Sequence, residues 1–333
     1  METEDSSERL AKLEQRVAVI ERNARRLRAQ YEREVVVRKE TFADKLRPKI
    51  GRFDHYRPRL LRHPEGYEAS AHEFSPTIVM VTPSFNQHQF IKATIDSVLA
   101  QNYPALRYHV QDAASTDGTV ALLKTYDGKL SWSSVPDHGQ AHGLNVGFRS
   151  LGGDGDIMAY LNSDDVLMPG ALAYVAKVFA DNPGVDVVYG HRICIDEDGM
   201  EIGRWILPQH DPVAIKWFDF IPQETMFWRR RVWREVGEFD ESFRYALDWD
   251  FILRAHSKGM KFKRLPRFLA CFRVHDAQKS TDIFDVGQRE SGQLRKIHVG
   301  FDPDAKAITR AIAPYLRRHV LYHRLYKLKI LRY

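Results

Sequence analysis

Cysteine and long apolar runs are scarce in this chain of 333 residues. Its two cysteines, Cys194 and Cys271, lie in apolar segments typical of strands, which predicts buried thiols and argues against a disulfide framework or a cysteine metal site. No run of 18 apolar residues occurs, so the sequence gives no sign of a transmembrane helix. The start, METEDSSERL, has no apolar signal segment, and we therefore expect a cytoplasmic protein.

Familiar nucleotide-binding signatures are absent as well. No GxGxxG follows the first predicted strand, and no GxxxxGK[ST] occurs, so neither a dinucleotide site nor a P-loop has support. The net charge of +6 and the pI of about 9.1 suit a phosphate-rich substrate, an anionic membrane surface or nucleic acid. Because no nucleic-acid-binding motif accompanies this charge, nucleic acid is not a predicted partner.

The sequence does contain three predicted strands that each end in a polar cluster. They are TIVMV at 77–81, YHVQ at 108–111 and the apolar run at 159–161, followed by TPSFN, DAASTDGT and NSDD. Apolar residues at helical spacing come after the first two clusters. Strands that alternate with helices predict a parallel sheet, and ligands bind at the carboxyl edge of such sheets. The polar clusters are therefore expected to form a binding site.

The adjacent carboxylates of Asp164 and Asp165 are the sharpest feature of that edge. Like charges side by side repel each other, so the pair favours a bound cation. Mg²⁺ and Mn²⁺, held by one or two carboxylates plus substrate phosphates, fit this demand. The alternative interpretation is a solvated loop after a strand.

Over residues 75–280 the chain resembles the inverting family 2 glycosyltransferases of the GT-A fold. The segments that carry the resemblance are TIVMVTPSFNQHQFIKATIDSVLAQNYP, VQDAASTDGT, PDHGQAHGLNVGF and IMAYLNSDDVLMPGAL, in the family's order. Two later segments, IPQETMFWRRRVWREVGEFDESFRYALDWDFILR and FRVHDAQKS, are similar to the family's acceptor-side and closing segments. No QxxRW motif is present, which disfavours a processive synthase.

The resemblance implies an α/β domain with a mixed, mainly parallel sheet flanked by helices. It also implies the activity: transfer of a sugar from a nucleotide-diphosphate donor to a hydroxyl of a glycan or lipid-linked acceptor in cell-surface polysaccharide biosynthesis. Two alternatives are a nucleotidyltransferase on a similar sheet and a non-enzymatic scaffold. The first would need a Gly-rich basic loop after the first strand, and TPSFNQHQF supplies none.

The resemblance assigns Pro83, Ser84 and Phe85 to the donor-nucleotide pocket. Phe85 offers an aromatic face to the base, with plain packing at the strand end as the alternative. Asp112 would accept a hydrogen bond from a base N–H. Ala113 stands where many relatives carry a second acid, which leaves the identity of the base open.

The resemblance places the region of Gln140 and Asn145 over the donor, so both are expected to contact it. Asp164 is a further predicted donor contact. A core-facing Asn145 is the alternative. The predicted metal ligands for Mn²⁺ or Mg²⁺ are Asp164, Asp165 and His275, and the ion would bridge the two phosphates of the donor. Asn162 occupies a position where most relatives carry an extra acid.

Asp248 is the predicted catalytic base. It matches the family's base position, although Leu247 replaces the acid that usually precedes it. If a helix begins here, its dipole favours a carboxylate in the first turn. Asp250 lies two residues on, and helix capping alone is the expected role of one of the two acids.

The regions on either side of the predicted catalytic domain have their own patterns. Residues 1–44 are predicted to form a helix with a heptad stripe over 10–31, which favours a coiled coil and a homo-oligomer. Residues 45–74 are predicted to form a linker, and residues 281–333 a basic helical extension. The basic helix at 305–333 either contacts a membrane surface, at the inner face, or docks on the domain. The stripe consists of Leu10, Leu13, Val17, Ile20, Ala24, Leu27 and Tyr31.

Overall fold

The computed structural model describes residues 56–67, 76–152, 155–275 and 284–333. Residues 50–333 form one compact unit. The predicted coiled coil over 10–31 lies outside the described residues, so the homo-oligomer stays a prediction. Among the helices of the described ranges, none combines the length and the apolarity that crossing a bilayer requires.

Strands and helices alternate in the first half of this unit and become irregular in the second. The strands are β1 Ile78–Ser84, β2 Leu106–Asp112, β3 Ser131–Ser134, β4 Ile157–Tyr160, β5 Val166–Leu167, β6 Val187–Ile195, β7 Glu201–Trp205, β8 Phe227–Arg229 and β9 Phe262–Arg273. The helices are α1 His88–Leu99, α2 Thr119–Lys124, α3 Gln140–Ser150, α4 Ala171–Asp181, α5 Arg230–Val236, α6 Leu247–Ser257, α7 Phe284–Val299 and α8 Ala305–Lys327. Short 3-10 helices occur at Ala214–Lys216 and Gln223–Thr225.

All described strands belong to one mixed sheet with the order β3-β2-β1-β4-β8-β6-β9-β5, and β7 pairs in addition with the second half of β6. The strands β3, β2, β1 and β4 run parallel, as the βαβ pattern predicts. Strand β8 is antiparallel to both β4 and β6, which joins the parallel half to a second half where β6 and β9 are parallel. The predicted mixed α/β sheet with flanking helices is therefore confirmed, and β8 accounts for its change of direction.

The central strand β1 is buried on both faces, which is typical of parallel sheets covered by helices. Because side chains alternate along a strand, Ile78 and Met80 join the apolar cluster on one face, and Val79 and Val81 join the cluster on the other. Helix α3 approaches β1 closely at Gly147, where a Cβ atom would lie 2.6 Å from Cγ1 of Val81. The glycine therefore allows the contact that brings α3 to the sheet.

The segments outside the predicted catalytic domain are packed onto it where the structure describes them. Helix α8 docks through the buried side chains of Ile312, Tyr315 and Leu316, so the docked alternative is confirmed for that face. In the predicted linker, Arg59 bridges to Glu201 of β7. The described part of that segment is thus an arm along the sheet edge.

Candidate functional site

A cavity of about 1000 Å³ opens at the carboxyl ends of β1 and β4. This volume is at the upper end of the range for small-molecule sites, about 300–1000 Å³, and gives room for two substrates. We call the lining residues within 83–165 the N-terminal wall and those within 192–291 the C-terminal wall. Seven predicted site residues line the cavity: Pro83, Ser84, Phe85, Gln140, Asp164, Asp165 and Asp248.

The end of β1 presents an aromatic ring and a hydroxyl to the N-terminal wall. The side chain of Phe85 is 61% exposed, so the alternative of plain packing at the strand end does not describe it. Beside it, the buried Oγ of Ser84 has no hydrogen-bond partner in the described part of the chain. A buried hydroxyl that lacks a partner costs stability, so this atom is suited to a ligand.

Asp112 does not line the cavity. Its buried carboxylate accepts hydrogen bonds from the backbone N–H of Ser115 at 2.9 Å, from Oγ of Ser115 at 2.5 Å and from Oγ of Ser134 at 2.6 Å. These bonds tie the ends of β2 and β3 together behind Ala113, which does line the cavity. In this structure Asp112 therefore holds the ends of β2 and β3 together and is not one of the residues that line the cavity.

Asn145 is also remote from the cavity. Its Nδ2 donates to the carbonyl oxygen of Phe239 at 2.9 Å, and its Oδ1 accepts from the N–H of the same residue at 3.0 Å. The buried amide thus joins α3 to the loop before α6. The predicted donor contact is corrected here, because the core-facing alternative describes this residue.

A chain of side-chain amides crosses the cavity floor. Nε2 of Gln140 donates to Oδ1 of Asn162 at 2.7 Å, and Nδ2 of Asn162 donates to Oε1 of Gln223 at 3.2 Å. Gln223 in turn donates to the carbonyl oxygen of Tyr160 at 2.8 Å. An acid at 162 could accept from Gln140 but not donate to Gln223, so asparagine matches both neighbours.

Two of the three predicted metal ligands, Asp164 and His275, are in direct contact. Oδ2 of Asp164 lies 3.0 Å from Nε2 of His275, whose buried ring packs on Phe90 at 4.6 Å. Oδ1 of Asp165 accepts the N–H of Arg273 at 3.1 Å, while Oδ2 is buried without a partner among the described residues. Burial and the charge of Asp164 raise the pKa of Asp165 well above its usual range. A cation nearby would relieve both costs.

The candidate metal ligands fit a cation site that substrate phosphates complete better than a site formed by protein side chains alone. Among the described residues, no group of three or more His, Cys, Asp or Glu side chains is arranged to hold an ion. Mg²⁺ and Mn²⁺ need only one or two carboxylates when substrate phosphates complete the shell. The cavity is also strongly acidic: its lining includes the six acids Asp137, Asp164, Asp165, Asp219, Glu224 and Asp248 against the two arginines Arg192 and Arg244.

The two acids at the start of α6 have different surroundings. Asp248, in the first turn, lines the cavity. Asp250 is buried and pairs with Arg254 at 2.7 Å, which holds the first turn of the helix to the next. Residues two apart on a helix point to different faces, so only one of the pair can reach the cavity. Asp250 thus has a structural role, but as the ion-pair partner of Arg254 and not as the predicted helix cap.

The C-terminal wall contains an ion pair that the sequence did not reveal. Nε and Nη2 of Arg192 donate to Glu224 at 2.6 and 2.5 Å, and both side chains are buried. The guanidinium lies 4.3 Å from the ring centre of Phe272 and 5.1 Å from that of Trp205. The available signal was an arginine inside the apolar strand VVYGHRICI, which requires a buried partner.

A second carboxyl group, that of Asp219, lines the cavity together with Asp248. Burial and the charge of Asp248 raise the pKa of Asp219 well above its usual range. Two carboxyl groups that face one cavity favour a single negative charge between them. The sequence gave no indication of Asp219, because an isolated acid between two phenylalanines matches no catalytic motif.

Known proteins resemble this chain in sequence and in structure. Residues 79–245 match the model described as glycosyl transferase family 2. An uncharacterized glycosyltransferase of Rickettsia typhi is 25% identical over 241 residues, 67% of this chain and 73% of that protein. A chondroitin synthase of Escherichia coli is 23% identical over 240 residues, 70% of this chain and 34% of the synthase. The crystal structure of S. aureus TarS 1-349 in complex with UDP-GlcNAc aligns with a TM-score of 0.56 at 18% identity and covers 76% of each chain.

Proposed function

Because the chain belongs to glycosyl transferase family 2 and has the GT-A fold, we propose that it transfers a sugar from a nucleotide-diphosphate donor to a hydroxyl of a glycan or lipid-linked acceptor in polysaccharide biosynthesis, with inversion and with help from a divalent cation. One observation carries this proposal. The exposed ring of Phe85, the carboxylate of Asp164 and the carboxylate of Asp248 line a single cavity, although they come from different elements.

The N-terminal wall suits the nucleotide. The nucleobase stacks on the exposed face of Phe85, a contact worth about 1–3 kcal/mol for a base on an aromatic ring. The hydroxyl of Ser84 gains the partner that it lacks within the described residues. Gln140 keeps its place over the donor through its hydrogen bond to Asn162.

Asp164 and His275 would hold Mn²⁺ or Mg²⁺, with Asp165 behind them. When bound, the cation neutralises the donor diphosphate and so improves it as a leaving group. The excess of carboxylates in the cavity lining supports this assignment, since an uncompensated diphosphate would be repelled there.

Asp248 accepts the proton of the acceptor hydroxyl. As that proton leaves, the hydroxyl oxygen bonds to the anomeric carbon on the face opposite the phosphate. The electron pair of the broken C–O bond departs with the nucleoside diphosphate, and this single displacement inverts the anomeric centre. A positioned carboxylate contributes about 10²–10⁴-fold to such a step.

The C-terminal wall suits an acceptor sugar. Trp205 and Phe272 offer aromatic faces to a pyranose ring, and the ion pair of Arg192 and Glu224 between them offers donors and acceptors to its hydroxyls. Arg192 and Glu224 line the same cavity as Asp164 on the cation side and Asp248 on the base side. An acceptor sugar held there is close to both reacting groups.

A panel of nucleotide sugars tests the proposal. With Mn²⁺ present, one donor at 100 times its dissociation constant should stabilise the fold by about 2.7 kcal/mol, a rise of about 5 °C in Tm. The same donor should release nucleoside diphosphate when acceptor glycans are added. If no nucleotide sugar in the panel stabilises the protein, the proposed function is wrong. Stabilisation by nucleoside triphosphates with release of pyrophosphate would favour the nucleotidyltransferase alternative.

A further inference from the structure

The last 29 residues of the chain carry charge of one sign only. Residues 305–333 contain eight Lys and Arg residues and no Asp or Glu. Helix α8 begins after Asp304, whose side chain caps Ala307, and no acid follows it. All eight of these side chains are exposed, Arg318 being paired with Asp211. Most of the charge in this segment therefore faces outward from the fold.

Large apolar side chains are exposed among these cations. Leu321 is 52% exposed, Leu328 is 69% exposed and Ile330 is 64% exposed. We call residues 321–332 the C-terminal patch. Its exposed residues are all basic or apolar: Leu321, Arg324, Lys327, Leu328, Lys329, Ile330 and Arg332.

The tip of the C-terminal patch is a defined turn. Lys329 has a φ of 58°, the left-handed conformation that usually selects glycine. The N–H of Ile330 donates to the carbonyl oxygen of Leu325 at 2.9 Å, and the N–H of Lys329 donates to that of Tyr326 at 2.9 Å. These two bonds are the Schellman pattern of helix ends. The turn thus points Leu328 and Ile330 outward on an ordered backbone.

The chain beyond the turn returns to the protein. The ring of Tyr333 stacks on Tyr326 with ring centres 5.9 Å apart, and it lies 4.3 Å from the ring of His191 in β6. The exposed side chains of Leu328 and Ile330 therefore lie between two anchored parts of the chain, the docked helix α8 and the ring of Tyr333. Apolar side chains held away from the core, beside cations, match the interface between lipid headgroups and acyl chains.

Helix α8 also connects the C-terminal patch to the cavity. Tyr315 stacks on Phe220 at 4.3 Å, and His319 contacts Trp205 edge-on at 6.1 Å. Both Phe220 and Trp205 line the C-terminal wall. At 1.5 Å per residue, Leu328 lies only about 14 Å along the helix from His319.

We propose that the C-terminal patch docks on an anionic lipid surface and thereby holds the C-terminal wall next to a membrane-borne acceptor. The choice of acceptor rests on the proposed function, whereas lipid docking does not. A second copy of the chain is a poorer occupant, because two patches of the same charge repel each other. Nucleic acid is poorer as well, since aliphatic tips give no stacking surface for bases.

Vesicle binding by the full chain tests the proposal. Wild-type protein should sediment with vesicles of 70% phosphatidylcholine and 30% phosphatidylglycerol, and not with pure phosphatidylcholine vesicles. Replacing Lys327, Lys329 and Arg332 by Gln should weaken binding by about 100-fold, because each basic residue near an anionic surface contributes about fivefold. Replacing Leu328 and Ile330 by Ser should weaken it by at least about tenfold, since insertion scales with buried apolar area.

The matched control removes three exposed cations elsewhere. The triple variant Arg107→Gln, Lys124→Gln and Lys258→Gln lowers the net charge equally and should bind the anionic vesicles as the wild type does. Unchanged Tm and unchanged nucleotide binding would show that all variants are folded. The proposal is overturned if the wild type does not bind, if both triple variants lose binding equally, or if the Leu328/Ile330 variant only converts a dimer into a monomer. A protein that docks on lipid without binding any nucleotide would contradict the proposed function alone.

Discussion

In the N-terminal wall of the cavity, the lining side chains lie at the carboxyl ends of the first four strands or in the loops that follow them, as far as the first residue of α3, and the parallel strands hold these ends together. In the C-terminal wall, the lining side chains come from β6, β7, a 3-10 helix, α6, β9, α7 and the loops before the 3-10 helix and α6, which are spread over 100 residues of the sequence. The two walls also differ in how much their stability depends on buried charge. The C-terminal wall keeps buried charges that depend on partners from other elements, so substitutions and pH should affect it more strongly.

The largest expected effect is on chemistry at α6. Asp248→Asn should lower transfer by about 10²–10⁴-fold, because it removes the proton acceptor, while donor affinity stays unchanged. Asp250→Asn is the matched control: it should keep turnover near the wild-type value and lower stability, since Arg254 loses its ionised partner. Steady-state kinetics and urea unfolding measure the two effects. If Asp250→Asn is inactive and Asp248→Asn is not, the base has been assigned to the wrong carboxylate.

The next effect is on stability at β6. Arg192→Ala leaves the buried carboxylate of Glu224 without its cation, which should cost about 3–5 kcal/mol of unfolding free energy. Replacing both residues, Arg192→Met with Glu224→Leu, should recover most of that loss, because well-packed apolar residues often replace a buried pair without cost. The double variant should still show a raised acceptor KM. If Arg192→Ala is as stable as the wild type, the pair does not contribute to the stability of the fold.

Acid should destabilise the second half of the molecule through its buried histidines. Burial lowers the pKa of His210 from 6.5 to about 4. A lowered histidine pKa contributes stability that is complete above pH 6.5 and is lost as the pH falls toward 4, about 3 kcal/mol in all. His210→Gln cannot be protonated, so its unfolding free energy should fall less between pH 7 and pH 4.5. Identical pH slopes for both proteins would contradict this.

The smallest effect concerns the N-terminal wall. Phe85→Ala should raise the donor KM by about tenfold and change kcat little, because it removes base stacking that is uniform through the reaction. Phe85→Tyr preserves the aromatic face and should behave as the wild type. The Ala variant should also be as stable as the wild type, since the ring is mostly exposed. A fall in kcat at constant donor KM would show that Phe85 does not bind the base.

The contrast between the walls also explains what the sequence could predict. Phe85 and the Asp164–Asp165 pair follow apolar strands, so a local pattern was enough to bring them to one edge of the sheet. Arg192 and Glu224 lie 32 residues apart and meet only because β6 and the 3-10 helix are neighbours in space. No local pattern carries that pairing. Asp219 was missed for the same reason.

Two residues that the resemblance assigns to the donor are instead hydrogen-bonded to neighbouring groups of the protein. Asp112 and Asn145 occupy the expected positions in β2 and α3, but neighbouring serines and the loop before α6 take up their hydrogen bonds. Sequence position therefore predicted the element correctly and not the direction of the side chain. The direction depends on which neighbour offers a better partner, and only the folded arrangement determines that.

The central claim is that a cation at Asp164 joins the nucleotide to the N-terminal wall. Calorimetric titration of UDP and of GDP, in Mn²⁺ and in EDTA, tests it most directly. We expect at least one of the two to bind in Mn²⁺ and to bind at least about tenfold more weakly in EDTA, and Asp164→Asn to remove this difference. Equal affinity with and without the metal, in the wild type, would contradict the account.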